Sequence, residues 1–294
     1  MTEPLMHVNG PLRVHELGRE DGPTLVLLHG FTDSGLCWAD AVRRWRHDYR
    51  IVAPDARGHG ESPRFDPAAS GSNWSDVMAA DVVSLLVALT RESDDLPLLI
   101  GHSMGAGIAA IVLASRPDLV RAGVLEDPPW FTRPPGDDRV SAKDTTQQWV
   151  QGFRDDLDEA IARGRLEQPL WPEIELRPWG VAKAQFDLSL TSPEQIVRQT
   201  PWVDVAAAIT RPTLVVTGGR DDQVLVGPLS RQRLTELGNP HVEVAVVPGA
   251  GHTVRRDCTD AFHQIVDPWI RASFRDSSKH ASSGDASFRG EASS

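Results

Sequence analysis

A serine flanked by two glycines is the feature of this chain that points most directly to chemistry. Residues 101–105 read Gly-His-Ser-Met-Gly, after an apolar run at 97–100 and before a run of small residues at 106–110. This order predicts a strand, a sharp turn and a helix. The glycines leave room beside the turn, so that the hydroxyl of Ser103 stands exposed at the end of a buried strand. The pattern therefore predicts a nucleophilic serine.

His252 is the predicted base for that serine. A serine hydroxyl is a weak nucleophile at neutral pH and needs a neighbouring group to take its proton. His252 follows an apolar run at 242–247 and a Pro-Gly turn. Its late position fits the chain order serine, acid, histidine. The alternative interpretation is a surface histidine in a turn.

The acid that orients the base should follow another strand between the serine and the histidine. The apolar run at 212–218 leads into a turn that contains Asp221 and Asp222. Both carboxylates lie within reach of the same edge of the sheet. One of the two is expected to be a solvated loop residue or a side chain that caps the turn.

A second acidic pair, Glu126 and Asp127, ends another predicted strand. It follows the apolar residues 123–125 and precedes two prolines. Either residue could be the acid, but a loop acid before a Pro-Pro turn is the interpretation favoured here.

The oxyanion of an acyl-transfer reaction requires backbone N–H donors. One is predicted to be the amide of Met104, directly after the serine. The other is predicted to be the amide of Phe31, in the loop after the apolar run 25–28, where Gly30 allows a close approach of the backbone. His29 is expected to hold that loop by hydrogen bonds. His102 is expected to pack or give polar support beside the site.

A further motif completes the pattern. Residues 55–62 read Asp-Ala-Arg-Gly-His-Gly-Glu-Ser and follow a predicted strand at 50–53. They resemble the D-x-R-G-x-G-x-S loop of the α/β-hydrolase superfamily. With the four segments above in the same order, the chain is identified as resembling that superfamily from about residue 5 to about residue 272.

The resemblance assigns roles by position. It makes Ser103 the nucleophile, His252 the base, and the amides of Phe31 and Met104 the oxyanion donors. The sequence itself predicts no cofactor and no metal.

The resemblance also guides the choice of acid. The acid of the superfamily usually lies three residues after the glycine that closes its strand, which selects Asp221 if that glycine is Gly218 and Asp222 if it is Gly219. We favour Asp221. Some members instead use an acid after the preceding strand, which here is the pair 126–127.

The order of apolar runs and helical stretches predicts an α/β fold. We expect a mostly parallel central sheet covered by helices on both faces. Residues 1–127 and 205–275 should form the core, and 276–294, which are rich in Ser and Gly, a disordered tail.

Residues 128–204 break the alternation and are predicted to form an inserted helical cap rich in tryptophan. Aromatic residues at this density most often pack under helices. They could also cover an apolar pocket for a bulky hydrophobic substrate. The expected pocket residues are Gly30, His102, Trp130, Trp179 and Trp202.

The amino-acid composition limits the remaining classes of function. The 294 residues, 40% of them hydrophobic, suffice for one sizeable core, and the net charge of −11 disfavours nucleic-acid binding. Cys37 and Cys258 are expected to be free buried thiols. No signal peptide, membrane span or metal-ligand spacing is predicted. We expect a cytoplasmic enzyme with a small-molecule substrate, and a homo-oligomer is compatible with the sequence.

Cleavage of an ester or lactone is the predicted reaction. Amide and carbon–carbon bond cleavage use the same residues, although His102 stands where carbon–carbon hydrolases of the superfamily often have asparagine. Dehalogenases and epoxide hydrolases of this fold use an aspartate where Ser103 stands. The rival from another class is a ligand-binding sensor on a hydrolase fold.

Overall fold

A seven-stranded sheet forms the centre of the computed structural model, which describes residues 12–65, 73–93, 95–132, 143–191 and 201–275. The strand order across the sheet is β1-β3-β2-β4-β5-β6-β7. Strand β1 pairs antiparallel with β3, and the other described pairs are parallel. The strands are β1 (Val14–Gly18), β2 (Thr24–Leu28), β3 (Arg50–Pro54), β4 (Leu98–His102), β5 (Ala122–Glu126), β6 (Thr213–Gly218) and β7 (Val242–Val247).

Helices connect most of these strands and cover both faces of the sheet. In chain order they are α1 (Ala39–Trp45), α2 (Trp74–Glu92), α3 (Met104–Ser115), α4 (Lys143–Asp155), α5 (Leu157–Glu167), α6 (Glu173–Gln185), α7 (Trp202–Ala208), α8 (Pro228–Leu237), α9 (Val254–Asp257) and α10 (Thr259–Arg275). Short 3₁₀ turns lie at Pro117–Leu119 and Leu188–Thr191.

The core consists of two layers because side chains alternate along a buried strand. Val26 and Leu28 of β2 belong to a cluster with residues of α2 and α3. Leu25 and Leu27 belong to a second cluster with residues of α1 and α10 on the opposite face. This architecture confirms the predicted α/β fold with a mostly parallel sheet. It also places the residues that follow β2, β4, β5, β6 and β7 at one edge of the sheet.

The described residues between β5 and β6 form helices and 3₁₀ turns, with no strand in 128–132, 143–191 or 201–212. The boundaries of a cap at 128–204 stay a prediction. The predicted tail at 276–294 lies outside the described residues. Cys37 and Cys258 are free thiols, as predicted, although Cys258 is half-buried. None of the helices in the described ranges has the length and apolar character needed to span a membrane.

Candidate active site

Ser103 lies at the sharp turn between β4 and α3, with backbone angles of φ 50° and ψ −116°. A Cβ on Gly105 would lie 2.1 Å from the carbonyl oxygen of Leu28, and one on Gly101 would lie 2.5 Å from the carbonyl oxygen of Gly105. Side chains are therefore excluded on both sides of the serine. The amide of Ser103 donates to the carbonyl of Glu126 at 2.9 Å, which extends the pairing of β4 with β5 by one residue.

Backbone strain is concentrated at this edge of the sheet. In the part of the chain that the structure describes, the non-glycine residues with positive φ are Thr32 at 66°, Ser103 at 50° and Asp127 at 41°. They follow β2, β4 and β5, which are neighbours in the sheet. Such conformations persist only where the surrounding structure holds them, and they occur most often at functional sites.

His252 and Asp127 form a direct pair. The ring nitrogen Nδ1 of His252 lies 2.6 Å from Oδ2 of Asp127. A carboxylate only accepts hydrogen bonds, so Nδ1 carries the proton and donates it. The imidazole is then oriented with Nε2 free to accept a proton, which is the state that a general base requires.

The carboxylate of Asp127 is fully buried and has three further donors. Oγ1 of Thr217 donates to it at 2.8 Å, and the amides of Leu225 and Val226 donate at 2.9 and 3.0 Å. These bonds fix the carboxylate opposite His252. Sequence reasoning missed Thr217, whose only signal is a hydroxyl near the end of an otherwise apolar strand.

The structure therefore corrects the choice of Asp221 as the acid. Asp221 accepts from Nη2 of Arg231 at 2.9 Å, and its side chain is 53% exposed. Asp222 is also exposed. The reason is that the chain after β6 continues to Leu225 and Val226, and the amides of those two residues reach the site instead of a carboxylate. Asp221 has the distance from Gly218 along the chain that the resemblance to the superfamily implies for the acid. In this loop, however, backbone amides rather than a carboxylate face Asp127.

Glu126 is directed away from His252, because successive side chains of a strand point to opposite faces. Its carboxylate accepts from the amide of Arg255 at 2.8 Å and from Nη1 of Arg255 at 2.7 Å. Burial raises the pKa of Glu126, and the pairing with Arg255 opposes that shift. Of the alternatives from the sequence, Asp127 is the one that contacts His252.

The backbone around Gly30 approaches the serine closely. A Cβ on Gly30 would lie 3.4 Å from Cβ of Ser103 and 2.7 Å from Nδ1 of His102. Met104 is the first residue of α3, where an amide has no acceptor within its own helix. The amides of Phe31 and Met104 thus belong to the two segments that meet at Ser103. Their role as oxyanion donors stays a prediction.

His29 has the supporting role that the sequence predicts. It is buried, its Nδ1 lies 2.9 Å from the carbonyl oxygen of Gly30, and its Nε2 lies 2.8 Å from the amide of Ala56. The Ala56 amide must donate, so Nε2 is unprotonated and Nδ1 donates to Gly30. Burial lowers the pKa of His29, which favours this neutral form.

His102 connects the serine turn to the histidine loop. Its Nε2 lies 3.2 Å from the carbonyl oxygen of His252, and the two rings are 4.9 Å apart. Burial lowers the pKa of His102 well below the usual value. A neutral, donating imidazole therefore joins the strand end that carries Ser103 to the backbone of His252.

The predicted pocket tryptophans lie in packed clusters. Trp130 is 2% exposed and stacks on Trp202 at 5.7 Å between ring centroids. Trp179 is 7% exposed and packs edge-on against Phe153 and Trp171. Burial favours the packing interpretation for Trp130 and Trp179. A role in a pocket stays a prediction, and half-buried Trp202 is its best candidate.

Among the described residues, no group of three or more His, Cys, Asp or Glu side chains is arranged to hold a metal ion.

Comparisons with known proteins agree with this fold. A sequence profile described as "Alpha/beta hydrolase family" matches residues 25–265. The 2-(acetamidomethylene)succinate hydrolase of Mesorhizobium japonicum is 27% identical over 275 residues, which cover 89% of this chain and 92% of that protein.

Solved structures share the fold. An esterase from Exiguobacterium antarcticum superposes with a TM-score of 0.69 at 21% identity, over 92% of this chain and 100% of that one. An enol-lactonase from Burkholderia xenovorans LB400 superposes with a TM-score of 0.65 at 19% identity, over 88% of this chain and 96% of that one. Since the profile match spans most of the chain, this protein belongs to the alpha/beta hydrolase family.

Proposed function

We propose that this protein is a serine hydrolase that cleaves an ester or lactone of a small, hydrophobic substrate through an acyl-enzyme on Ser103. The observation that carries the proposal is the conjunction of a strained, glycine-flanked serine with an imidazole whose Nδ1 donates to a buried carboxylate. A structural or binding role would need neither the strain nor this orientation of the ring.

In the first half-reaction, Oγ of Ser103 attacks the substrate carbonyl as Nε2 of His252 takes the hydroxyl proton. Asp127 stabilises the imidazolium that forms. The tetrahedral intermediate collapses, the bond from the carbonyl carbon to the leaving oxygen breaks, and His252 gives the proton to that oxygen. With an ester, the products of this step are a free alcohol and an acyl group on Ser103; with a lactone, the new hydroxyl stays on the acyl chain that Ser103 carries.

In the second half-reaction, water is the nucleophile. His252 removes a proton from the water as its oxygen bonds to the acyl carbon. The bond to Oγ of Ser103 then breaks, and His252 returns the proton to the serine. The amides of Phe31 and Met104 hold the negative oxygen in both half-reactions. This chemistry requires no cofactor.

The ester or lactone class is supported by esterases and an enol-lactonase among the structural neighbours, although those similarities are in fold. Amide cleavage is the second candidate. It is favoured by the relative from Mesorhizobium japonicum, which spans 89% of this chain and whose named substrate carries an acetamido group.

Labelling with a fluorophosphonate tests the nucleophile. Intact-mass analysis should give one adduct on the wild type and on Ser189→Ala, an exposed control, and none on Ser103→Ala. Ser103→Ala should also lower kcat by about 10⁶-fold on an activated ester. A folded wild-type protein that neither forms an adduct nor hydrolyses a panel of esters, lactones and anilides would favour a binding protein instead. Faster turnover of the anilides than of the matched esters would favour the amide candidate.

A further inference from the structure

The turn that carries the Phe31 amide is strained and is stabilised from outside. The amide of Asp33 donates to the carbonyl of Gly30 at 3.0 Å and closes a four-residue turn. Its third residue, Thr32, has φ 66°, a conformation suited to glycine and unfavourable for a β-branched side chain. The sequence of the turn therefore does not stabilise its own geometry.

Lys183 of α6 holds this turn at two points. Its ammonium donates to the carbonyl of Thr32 at 3.2 Å and pairs with the carboxylate of Asp33. The ammonium also lies 5.7 and 5.4 Å from the ring centroids of Trp149 and Trp179. These contacts satisfy the buried charge, so Lys183 is not available to bind a substrate.

Arg256 completes the surroundings of Asp33. Its Nη2 lies 3.2 Å from Oδ2 of Asp33, and its Nε lies 2.9 Å from Oε2 of Glu175. Glu175 belongs to α6, as Lys183 does, about two helical turns away. Arg256 follows His252 by four residues. One buried network thus joins α6, the turn at 30–33 and the segment after the base.

Within this network, Glu175 and Lys183 act on different partners. Glu175 anchors α6 to Arg256 and to the amide of Asp40 at 2.7 Å. Of these two anchors on α6, Lys183 is the one whose bonds reach the turn at 30–33. Loss of either should loosen the helix, and loss of Lys183 should also release the carbonyl of Thr32.

We propose that Lys183 is a positioning residue that holds the 30–33 turn so that the Phe31 amide is aimed at the oxyanion. The proposal rests on the proposed function. It implies that the segment between β5 and β6 supports transition-state stabilisation as well as shielding the substrate.

The test compares Lys183→Met with Glu175→Gln on a p-nitrophenyl ester. Lys183→Met should lower kcat by about 10²-fold with little change in KM, because a donor displaced by about 1 Å loses most of its effect. It should also weaken, by a similar factor, inhibition by a boronic acid, whose tetrahedral adduct with a serine places an oxygen where the oxyanion forms. Glu175→Gln should lower stability but leave kcat and boronate affinity near the wild-type values.

A second substitution links the effect to the turn itself. Glycine adopts positive φ without strain, so the 30–33 turn of a Thr32→Gly variant should depend less on Lys183 for its geometry. Adding Thr32→Gly to Lys183→Met should therefore restore part of kcat. If Lys183→Met alone does not fold, Lys183→Met combined with Asp33→Ala leaves no lone charge from that ion pair and should still lose kcat.

Equal losses of kcat in Lys183→Met and Glu175→Gln, unchanged boronate affinity in Lys183→Met, or full kcat in Lys183→Met combined with Asp33→Ala would each overturn the positioning role. In those cases the wild type would still be labelled at Ser103, and the proposed function would stand. A wild type without any adduct or turnover would instead overturn the proposed function and this inference together.

Discussion

Two buried aspartates, Asp127 and Asp33, follow strands at the same edge of the sheet but have opposite surroundings. Asp127 accepts from two amides, one hydroxyl and the imidazole of His252. Asp33 lies between two fixed cations, Lys183 and Arg256. Burial alone would raise the pKa of Asp33, but the two cations lower it well below the usual range.

In the proposed reaction the charge of Asp127 acts on an imidazole that becomes positive, and no permanent cation neutralises Asp127 in its described contacts. The charge of Asp33 instead serves to hold the fold together. The charge of Asp33 is already matched by two cations, and its removal would leave Lys183 without its ion-pair partner and Arg256 with Glu175 alone. Substitutions at Asp127 should therefore alter rate, whereas substitutions at Asp33 should alter stability first.

Among the substitutions that test this difference between the two aspartates, Asp127→Asn should have the largest effect on kcat. We expect kcat to fall by about 10⁴-fold with a much smaller change in KM, because an asparagine no longer selects the tautomer of His252 or stabilises its charged form. Steady-state kinetics on an activated ester would measure it. The matched control, Asp221→Asn, should keep wild-type kinetics. A large loss in Asp221→Asn together with a small loss in Asp127→Asn would reverse the assignment of the acid.

Asp33→Ala should give a large loss of stability. Removing one partner of a buried ion pair leaves an uncompensated charge and typically costs about 3–5 kcal/mol of unfolding free energy. Urea denaturation would measure it, with Asp118→Ala, which breaks an exposed pair with Arg116, as a control expected to have little effect. If Asp33→Ala unfolds at the same urea concentration as the wild type, the network does not stabilise the fold.

Lowering the pH should destabilise the folded protein because it favours protonation of histidines that are buried in their neutral form. This effect should begin at a higher pH than the protonation of Asp33. Burial lowers the pKa of His29 and His102 and lowers that of His59 to about 3. The unfolded chain binds protons at these histidines below about pH 6.5 while the folded state does not, so stability rises with pH in that range and falls as pH decreases.

Each such histidine should contribute up to about 1.4 kcal/mol per pH unit. Urea midpoints between pH 7 and pH 5 would measure the slope, and His59→Asn should reduce it. An unchanged slope in that variant would show that folding does not lower the pKa of His59.

The smallest kinetic effect is expected from the predicted pocket tryptophans. Trp202→Ala should raise KM for bulky esters more than for acetate esters if this half-buried ring borders the pocket. Trp179→Ala should mainly lower stability, by about 3–5 kcal/mol, because its ring is packed among Phe153 and Trp171. An equal change in KM for small and bulky esters would remove Trp202 from the pocket.

The fold and half of the site followed from local patterns. Apolar runs bounded by turn residues predict strands around 50–53, 123–125 and 242–247, and the structure has strands at 50–54, 122–126 and 242–247. Gly-x-Ser-x-Gly predicts the turn at Ser103 because no other residues fit beside it. The choice of Asp221 failed because strands β5 and β6 both end in an acidic pair or turn, and spacing along the chain does not distinguish them.

The sequence by itself determined which elements form, where the serine turn lies and which histidine follows the last strand, since these depend on steric fit and periodicity among neighbouring residues. Only the tertiary structure decided which acid meets His252, 125 residues away from it in the chain, and which lysine reaches the turn at 30–33. Such contacts depend on the face to which each strand residue points and on how distant segments pack, and both are fixed only when the sheet and its helices come together.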